Sequence, residues 1–473
     1  MGKKLCIIVV LLSVIILNGC TVGGTKQKKA ELSETKLPAG SNVIGGQMSR
    51  HQWDFQIVDC FTKDYQQLMK DCPKDFCAGY PIEEEFFLWF YGEYGKNIWK
   101  LLCDSGKNLS MTDWYRLTGK SIHVLWLNYC KDKGFQVEDA QAIFYKETEA
   151  KTGAVMDFSG DVNMDNHVAN MEYMYLQPNG MKDCLSKELI NEVKQADLFL
   201  INNEFAFTKS EEGLPGKGYH FKTDPERVSL LLRDWGVDLV SLANNHVYDY
   251  GEQGLKDTLQ ALKSIQMPTV GAGNNLDEAK QPKYFIINGR KIAIVAASQI
   301  ERTLSYTKEA TKTSAGVLKT LKPDKFLSVI EKARAVSDYV IVYVHWGTEG
   351  HPQFESDQQK LGHAYIDAGA DVVIGAHTHC LQGTEFYNGK PILYSLGNFW
   401  FDWQEDLADL NGLAQVKIDE NGKLSVRFLP CIYGNGVTRL ITDPVEKAQA
   451  IQYMQSLSKK VSIDPDGWIT QED

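Results

Sequence analysis

From residue 153 onward, short apolar, β-branched runs alternate with helix-like stretches. The runs lie at 153–159, 197–202, 237–243, 291–298, 339–344, 371–375 and 391–396. Helical spacing fills the intervals near 182–195, 224–235, 251–266, 320–337 and 354–369. A strand-helix alternation of this length predicts an α/β domain around a mostly buried sheet. Near the end, Leu413–Ile418 and Leu424–Leu429 flank Asp419-Glu420-Asn421-Gly422, a hairpin signal that predicts a second, partly antiparallel sheet.

Ligands of α/β sheets sit at the C-terminal edges of strands. Here those edges carry polar residues. They are Gly160-Asp161-Val162-Asn163, Asn202-Asn203-Glu204, Asn244-Asn245-His246 followed by Asp249, His345-Trp346-Gly347-Thr348-Glu349, and His377-Thr378-His379. On an extended segment residues i and i+2 point the same way, so His377 and His379 are expected to face one spot. Taken singly, each cluster has a plain explanation. Asp161 and Asp249 read as caps, Glu204 as solvated, Asn244-Asn245 as a turn, and His345 as a satisfied core histidine. Their repetition at successive strand ends favours a common site. Asp, Glu, Asn and His together form a mixed oxygen and nitrogen set that suits two divalent ions such as Mn²⁺, Fe²⁺ or Zn²⁺.

The order G-D, N-x-E, N-N-H, H-W-G-x-E, G-x-H-x-H, then Tyr394-Ser395-Leu396-Gly397-Asn398-Phe399, resembles the bacterial CapA family of poly-γ-glutamate capsule synthesis. That family falls within the calcineurin-like metallophosphoesterase superfamily, and the match spans roughly 153–432. The resemblance implies a four-layer α/β/β/α sandwich with a two-metal centre. In it Asp161 would bind the first metal, Glu204 would bridge both, and His379 would complete the first. Asn245, His345 and His377 would bind the second. His246 would act as proton donor or oxyanion stabiliser, oriented by Asp249. Asn163 departs from the superfamily pattern, which has His there, and removes a strong nitrogen ligand from the first site. Two functions follow from the resemblance. One is a metal-dependent phosphoesterase-type enzyme acting on a phosphate-containing substrate or anionic polymer. The other is a non-catalytic assembly protein holding membrane-bound capsule synthase subunits or polymer.

The start of the chain is different. Lys3 and Lys4 precede the apolar run Leu5 to Leu17, then Asn18-Gly19-Cys20. A basic end, a short apolar stretch and a small residue before the cut read as an export signal over 1–19, too short to span a bilayer. The ending resembles a lipobox, so Cys20 is expected to carry lipid and hold the chain to the outer face of a bacterial cell membrane. An ordinary cleaved signal is the alternative. Residues 20–47, rich in Gly, Lys, Ser and Thr, then form a flexible tether.

Residues 48–148 carry many aromatics and predict a compact helical module, with amphipathic helices over Glu83 to Leu102. Cys60, Cys72, Cys77, Cys103 and Cys130 crowd this module, and in an exported chain they predict at least one disulfide. The main domain is expected over 149–440, with a C-terminal helix and tail over 441–473. A net charge of −11 argues against a nucleic-acid partner held by its phosphates.

Overall fold

The structure is a computed structural model that describes residues 153–288, 290–402 and 409–472, with scattered residues between 89 and 146. The chain divides into two compact units, one mainly Met1–Glu149 and one mainly Ala150–Asp473. In the first, described residues from Trp89 to Asp132 are helical, and Phe90, Leu125 and Tyr129 are buried. Trp89 Nε1 donates to Asp132 Oδ2 at 2.8 Å, and its ring meets Tyr129 edge-on. The export signal, Cys20, the tether and the five crowded cysteines lie outside the described residues.

The second unit follows the alternation. Its main elements are β1 (Ala154–Val162), α1 (Lys187–Gln195), β2 (Leu198–Asn203), β3 (Leu239–Ser241), α2 (Gly251–Ser264), β4 (Thr269–Val270) and β5 (Arg290–Ser298). There follow α3 (Asp324–Val336), β6 (Tyr339–His345), α4 (Ser356–Asp367), β7 (Val372–Ala376), β8 (Leu381–Tyr387), β9 (Lys390–Leu396) and β10 (Asn398–Trp400). The chain finishes with β11 (Leu410–Ile418), β12 (Leu424–Gly434), α5 (Pro444–Leu457), β13 (Val461–Ile463) and β14 (Trp468–Gln471). One sheet contains β5, β6, β7, β9 and β8 in that order, parallel except for the β8–β9 hairpin. The other runs β13, β14, β12, β11, β1, β2, β3, β4, with β10 beside β1. Its β1–β4 half is parallel and its β11–β14 half antiparallel.

Alternation along the strands separates the layers. Phe199, Ile201, Val240 and Leu413 pack with Leu189 and Val193 of α1 and Leu255 and Leu262 of α2. Val295, Val342, Val344 and Val373 pack with Phe326 and Ile330 of α3 and Tyr365 of α4. The remaining faces turn toward each other, and Tyr343 of β6 donates its hydroxyl across to the carbonyl of Ser159 at 2.8 Å. The architecture is therefore the expected four-layer α/β/β/α sandwich.

Three stretches differ from the sequence expectation. The helix over 182–195 breaks at Ser186, whose hydroxyl caps α1 by accepting from Leu189 N at 3.2 Å. Over 224–235 the chain makes successive 3₁₀, α and π turns that end with Trp235 buried, its Nε1 donating to Met181 O at 2.9 Å. The segment after α5 is no tail: β13 and β14 extend the second sheet, pairing Ile469 with Val426.

Candidate metal centre

The site begins at an irregularity in β1. Phe158 aligns with Leu200 but Asp161 aligns with Asn202, so one extra residue is inserted between them. Such a bulge re-aims the side chains beyond it. Met156 and Phe158 face the other sheet with Leu198 and Leu200, and the inserted residue keeps Asp161 on that inner face. Gly160 is required there, because a Cβ would lie 1.8 Å from Gly397 O. Asp161 Oδ1 accepts from Asn202 Nδ2 at 2.7 Å, and Oδ2 accepts from His377 N at 3.1 Å. His379 Nδ1 lies 3.5 Å from the same Oδ2.

Glu204 follows β2, and neither of its buried oxygens has a hydrogen-bond partner among the described residues. His345 Nε2 approaches Oε1 at 3.3 Å without the alignment of a hydrogen bond. His345 ends β6. Its Nε2 lies 2.7 Å from Asn245 Oδ1 and its Nδ1 3.2 Å from Asn202 Nδ2. Asn244 is locked by its backbone: Oδ1 accepts from His246 N and Val247 N while Nδ2 donates to Asn202 Oδ1. It therefore fixes both Asn202 and the turn that carries Asn245 and His246. His246 Nδ1 lies 2.7 Å from Asp249 Oδ2, the orientation anticipated for that pair.

The histidine pair does not face one spot, as a period of two would have it. β7 ends at Ala376, and His377 and His379 follow with φ of +100° and +55°. Non-glycine residues adopt positive φ at a cost, and such residues concentrate at functional sites. The two imidazoles therefore serve different clusters. Donor atoms of Glu204, His345 and His377 lie within 4.8 Å of one another, and so do those of Asp161, Glu204 and His379. Glu204 belongs to both. All five residues are buried.

Burial, then the neighbouring Asp161 carboxylate, pushes Glu204 well above the ordinary carboxylate range. Burial raises Asp161 too, opposed by His379 and by the donors of Asn202 and His377. His345 and His377 are held neutral, first by burial and then by neighbouring histidines. Neutral imidazoles beside unsatisfied carboxylate oxygens are a donor set that a divalent cation would complete. His377 Nδ1 is also buried and without a partner among the described residues. His379 Nδ1 lies 2.7 Å from Asn398 Oδ1, a contact that orients the ring.

Sequence reasoning gave no role to Asn202 and Asn398, although both stand in the motifs it quotes; they contact Asp161 and His379. It missed Lys217, which lies in a loop with no strand-end signal and donates to Asp249. Asn163 is buried, and its Oδ1 is taken by Asp165 N at 2.8 Å. Cys380 stands apart from both clusters, its thiol facing Thr378 Oγ1 at 3.7 Å.

The profile of the bacterial capsule synthesis protein family PGA_cap matches residues 155–403, just over half of the chain and the whole span from Asp161 to His379. The chain belongs to that family. Among curated PGA_cap relatives, the capsule biosynthesis protein CapA of Bacillus anthracis is 29% identical over 72% of this chain and 80% of its own length. The PGA biosynthesis protein CapA of Bacillus subtilis (strain 168) is 37% identical over 44% of this chain, which spans about half (53%) of that relative. Among solved structures, a 5'-nucleotidase from Candida albicans overlaps 58% of this PGA_cap chain and 50% of its own, at 12% identity and a TM-score of 0.35. An overlap that slight does not carry the fold assignment, which rests on the sheet registers.

Proposed function

We propose that this chain takes part in the biosynthesis of a capsule or polyanionic exopolymer of the poly-γ-glutamate type, through a divalent-metal centre of phosphoesterase type. Membership of PGA_cap and the names of the Bacillus relatives support the biological role. The observation that carries the chemistry is Glu204, a buried carboxylate shared by two donor clusters with both oxygens unsatisfied among the described residues. Asp161, Glu204 and His379 would hold one cation, and Glu204, Asn245, His345 and His377 the other. Bound there, such ions (Mn²⁺, Fe²⁺ or Zn²⁺) polarise a phosphoryl oxygen and lower the pKa of water. Asp249 fixes the His246 ring through Nδ1, so the ring's other nitrogen is available to move a proton.

The second reading, a non-catalytic assembly protein, is favoured by Asn163. Its amide oxygen is already committed to Asp165 N, so it supplies no ligand to the Asp161 cluster. Under either reading the chain works at the outer face of the membrane, held through a lipid on Cys20. Among the described residues no helix is long and apolar enough to cross a bilayer. Cys20→Ser should then shift the protein from the detergent phase to the aqueous phase.

The deciding experiment uses the detergent-solubilised full chain, reconstituted with Mn²⁺, Fe²⁺ or Zn²⁺. Metal retention with hydrolysis of bis(p-nitrophenyl) phosphate is expected. Retention without hydrolysis would favour the assembly reading, and no retention would refute the centre itself.

A further inference from the structure

We propose that Lys217 is the positioning residue of this site, holding the His246 imidazole in place from a loop outside the ligand set. The inference deepens the phosphoesterase reading and rests on it.

Lys217 lies in the loop between Phe207 and Lys222, and only 8% of its side chain is exposed. Its Nζ donates to the Asn245 carbonyl and to Asp249 Oδ1 (2.5 Å), and Glu301 Oε1 lies 3.6 Å away. Two of its three hydrogens go to these two oxygens, and the Glu301 carboxylate faces it at ion-pair distance. Both bonded oxygens belong to the turn that carries His246, which makes its role internal. Asp249, fully buried, gives its other oxygen to His246 Nδ1 and to Phe221 N at 2.7 Å each. The Phe221 ring lies 4.4 Å from the His246 ring and limits its swing. The Asn245 carbonyl takes a second donor, Thr307 Oγ1, at 2.8 Å. One cation thus ties the loop before β3, the turn after β3 and the loop after β5 around the same imidazole.

The loop itself is anchored. Leu214 N donates to Asp249 O at 2.8 Å, and Tyr306 donates its hydroxyl to Gly216 O at 2.6 Å. The other cations near the site are engaged elsewhere: Arg302 with Gly347 O, Thr348 and Glu355, and Lys319 with Ile300 O. Without Lys217, Asp249 Oδ1 becomes a buried carboxylate oxygen with no donor. The carboxyl is then free to turn away from His246.

The test uses the full chain loaded with Mn²⁺ and bis(p-nitrophenyl) phosphate as probe. Lys217→Met should lower kcat about 10–100-fold, with KM within twofold and metal content unchanged. In a His246→Ala background the same substitution should cost nothing further, because both act through one imidazole. Losses that multiply in that background, or a rise in KM at unchanged kcat, would overturn the proposal. Lys217→Gln, which keeps a donor, serves if Lys217→Met does not fold, and should lose less. A second readout needs no activity. In protein with ¹⁵N-labelled histidine, the His246 Nδ1–H signal, identified by its loss in His246→Ala, should exchange slowly with solvent in wild type and fast in the Lys217 variants. Unchanged exchange would reject the positioning role. Absence of hydrolysis in wild type would reject the phosphoesterase reading instead and leave the exchange measurement to decide on Lys217.

Discussion

Strand β1 carries two buried aspartates, Asp157 and Asp161, with opposite surroundings. Asp157 aligns with Phe199 and faces the α1 side. Its Oδ1 accepts from Gln415 Nε2 at 3.0 Å, and the same amide reaches Glu192 Oε1 at 2.8 Å. Its Oδ2 has no partner among the described residues, and burial pushes its pKa up to about 8, with Glu192 adding repulsion. Asp161 lies on the inner face, with an amide, a backbone N–H and an imidazole brought to it from β2 and the loop after β7. Burial raises both carboxyls. Asp157 has one amide donor set against the repulsion of Glu192, whereas Asp161 has an amide, a backbone N–H, an imidazole and a second carboxylate able to share a cation. A buried acid becomes a candidate ligand through what converges on it, and burial alone yields a protonated acid.

Removing the convergent groups should have the largest effect. His246→Ala should lower any phosphodiesterase rate by roughly 10²–10⁴-fold at nearly unchanged metal content, read by steady-state kinetics and elemental analysis. His377→Ala combined with His379→Ala should strip the metal, whereas Asp157→Asn, on the same strand as Asp161, should leave it in place. Loss of metal in Asp157→Asn would break the contrast between the two aspartates. Glu204, held well above the ordinary range, must lose its proton when a cation enters, so metal affinity should fall as pH falls. Equilibrium dialysis across pH 5 to 8 reads this directly.

Asp157 itself makes a stability prediction. Its folded pKa of about 8 lies above the ordinary aspartate value of 3.8, so folding favours the neutral acid. That contribution is fully present below about pH 4 and is lost as pH rises through about 8. Asp157→Asn stays neutral throughout, so urea unfolding should find it more stable than wild type at pH 9. The expected gain is on the order of 2–4 kcal/mol, shrinking toward pH 5. Equal pH slopes in the two proteins would show that Asp157 is solvated. The smallest effect is expected for Asn163→His. It should strengthen the weaker of two metal sites by about tenfold or less, the scale of one supporting group, since Asp165 N loses its acceptor in exchange. Calorimetric titration showing one unchanged affinity would count against Asn163 as the weak point.

Much of this was legible from residue order. The strand-helix alternation gave the layers because parallel strands buried on both faces must be apolar throughout, as Val372-Val373-Ile374 are. The polar strand ends pointed to Asp161, Glu204, His345, His377 and His379, whose donor atoms the fold brings into two clusters. The break at Ser186 and the strands after Leu457 were not foreseen. A single cap and a pairing with distant Val426 and Arg427 decide them, and neither leaves a periodic trace.

Sequence by itself determined which residues could bind a cation and on which strands they ride, since both follow from side-chain chemistry and local period. It did not determine where those side chains point. A strict period of two puts Asp157 and Asp161 on one face, and the inserted residue near Gly160 separates them. The same period puts His377 and His379 on one spot, and two positive φ values divide them between two clusters. Both outcomes depend on contacts with distant backbone, Gly397 O beside β1 and Asp161 beneath His377 N. Such contacts exist only once the two sheets have packed, so the tertiary structure alone could decide them.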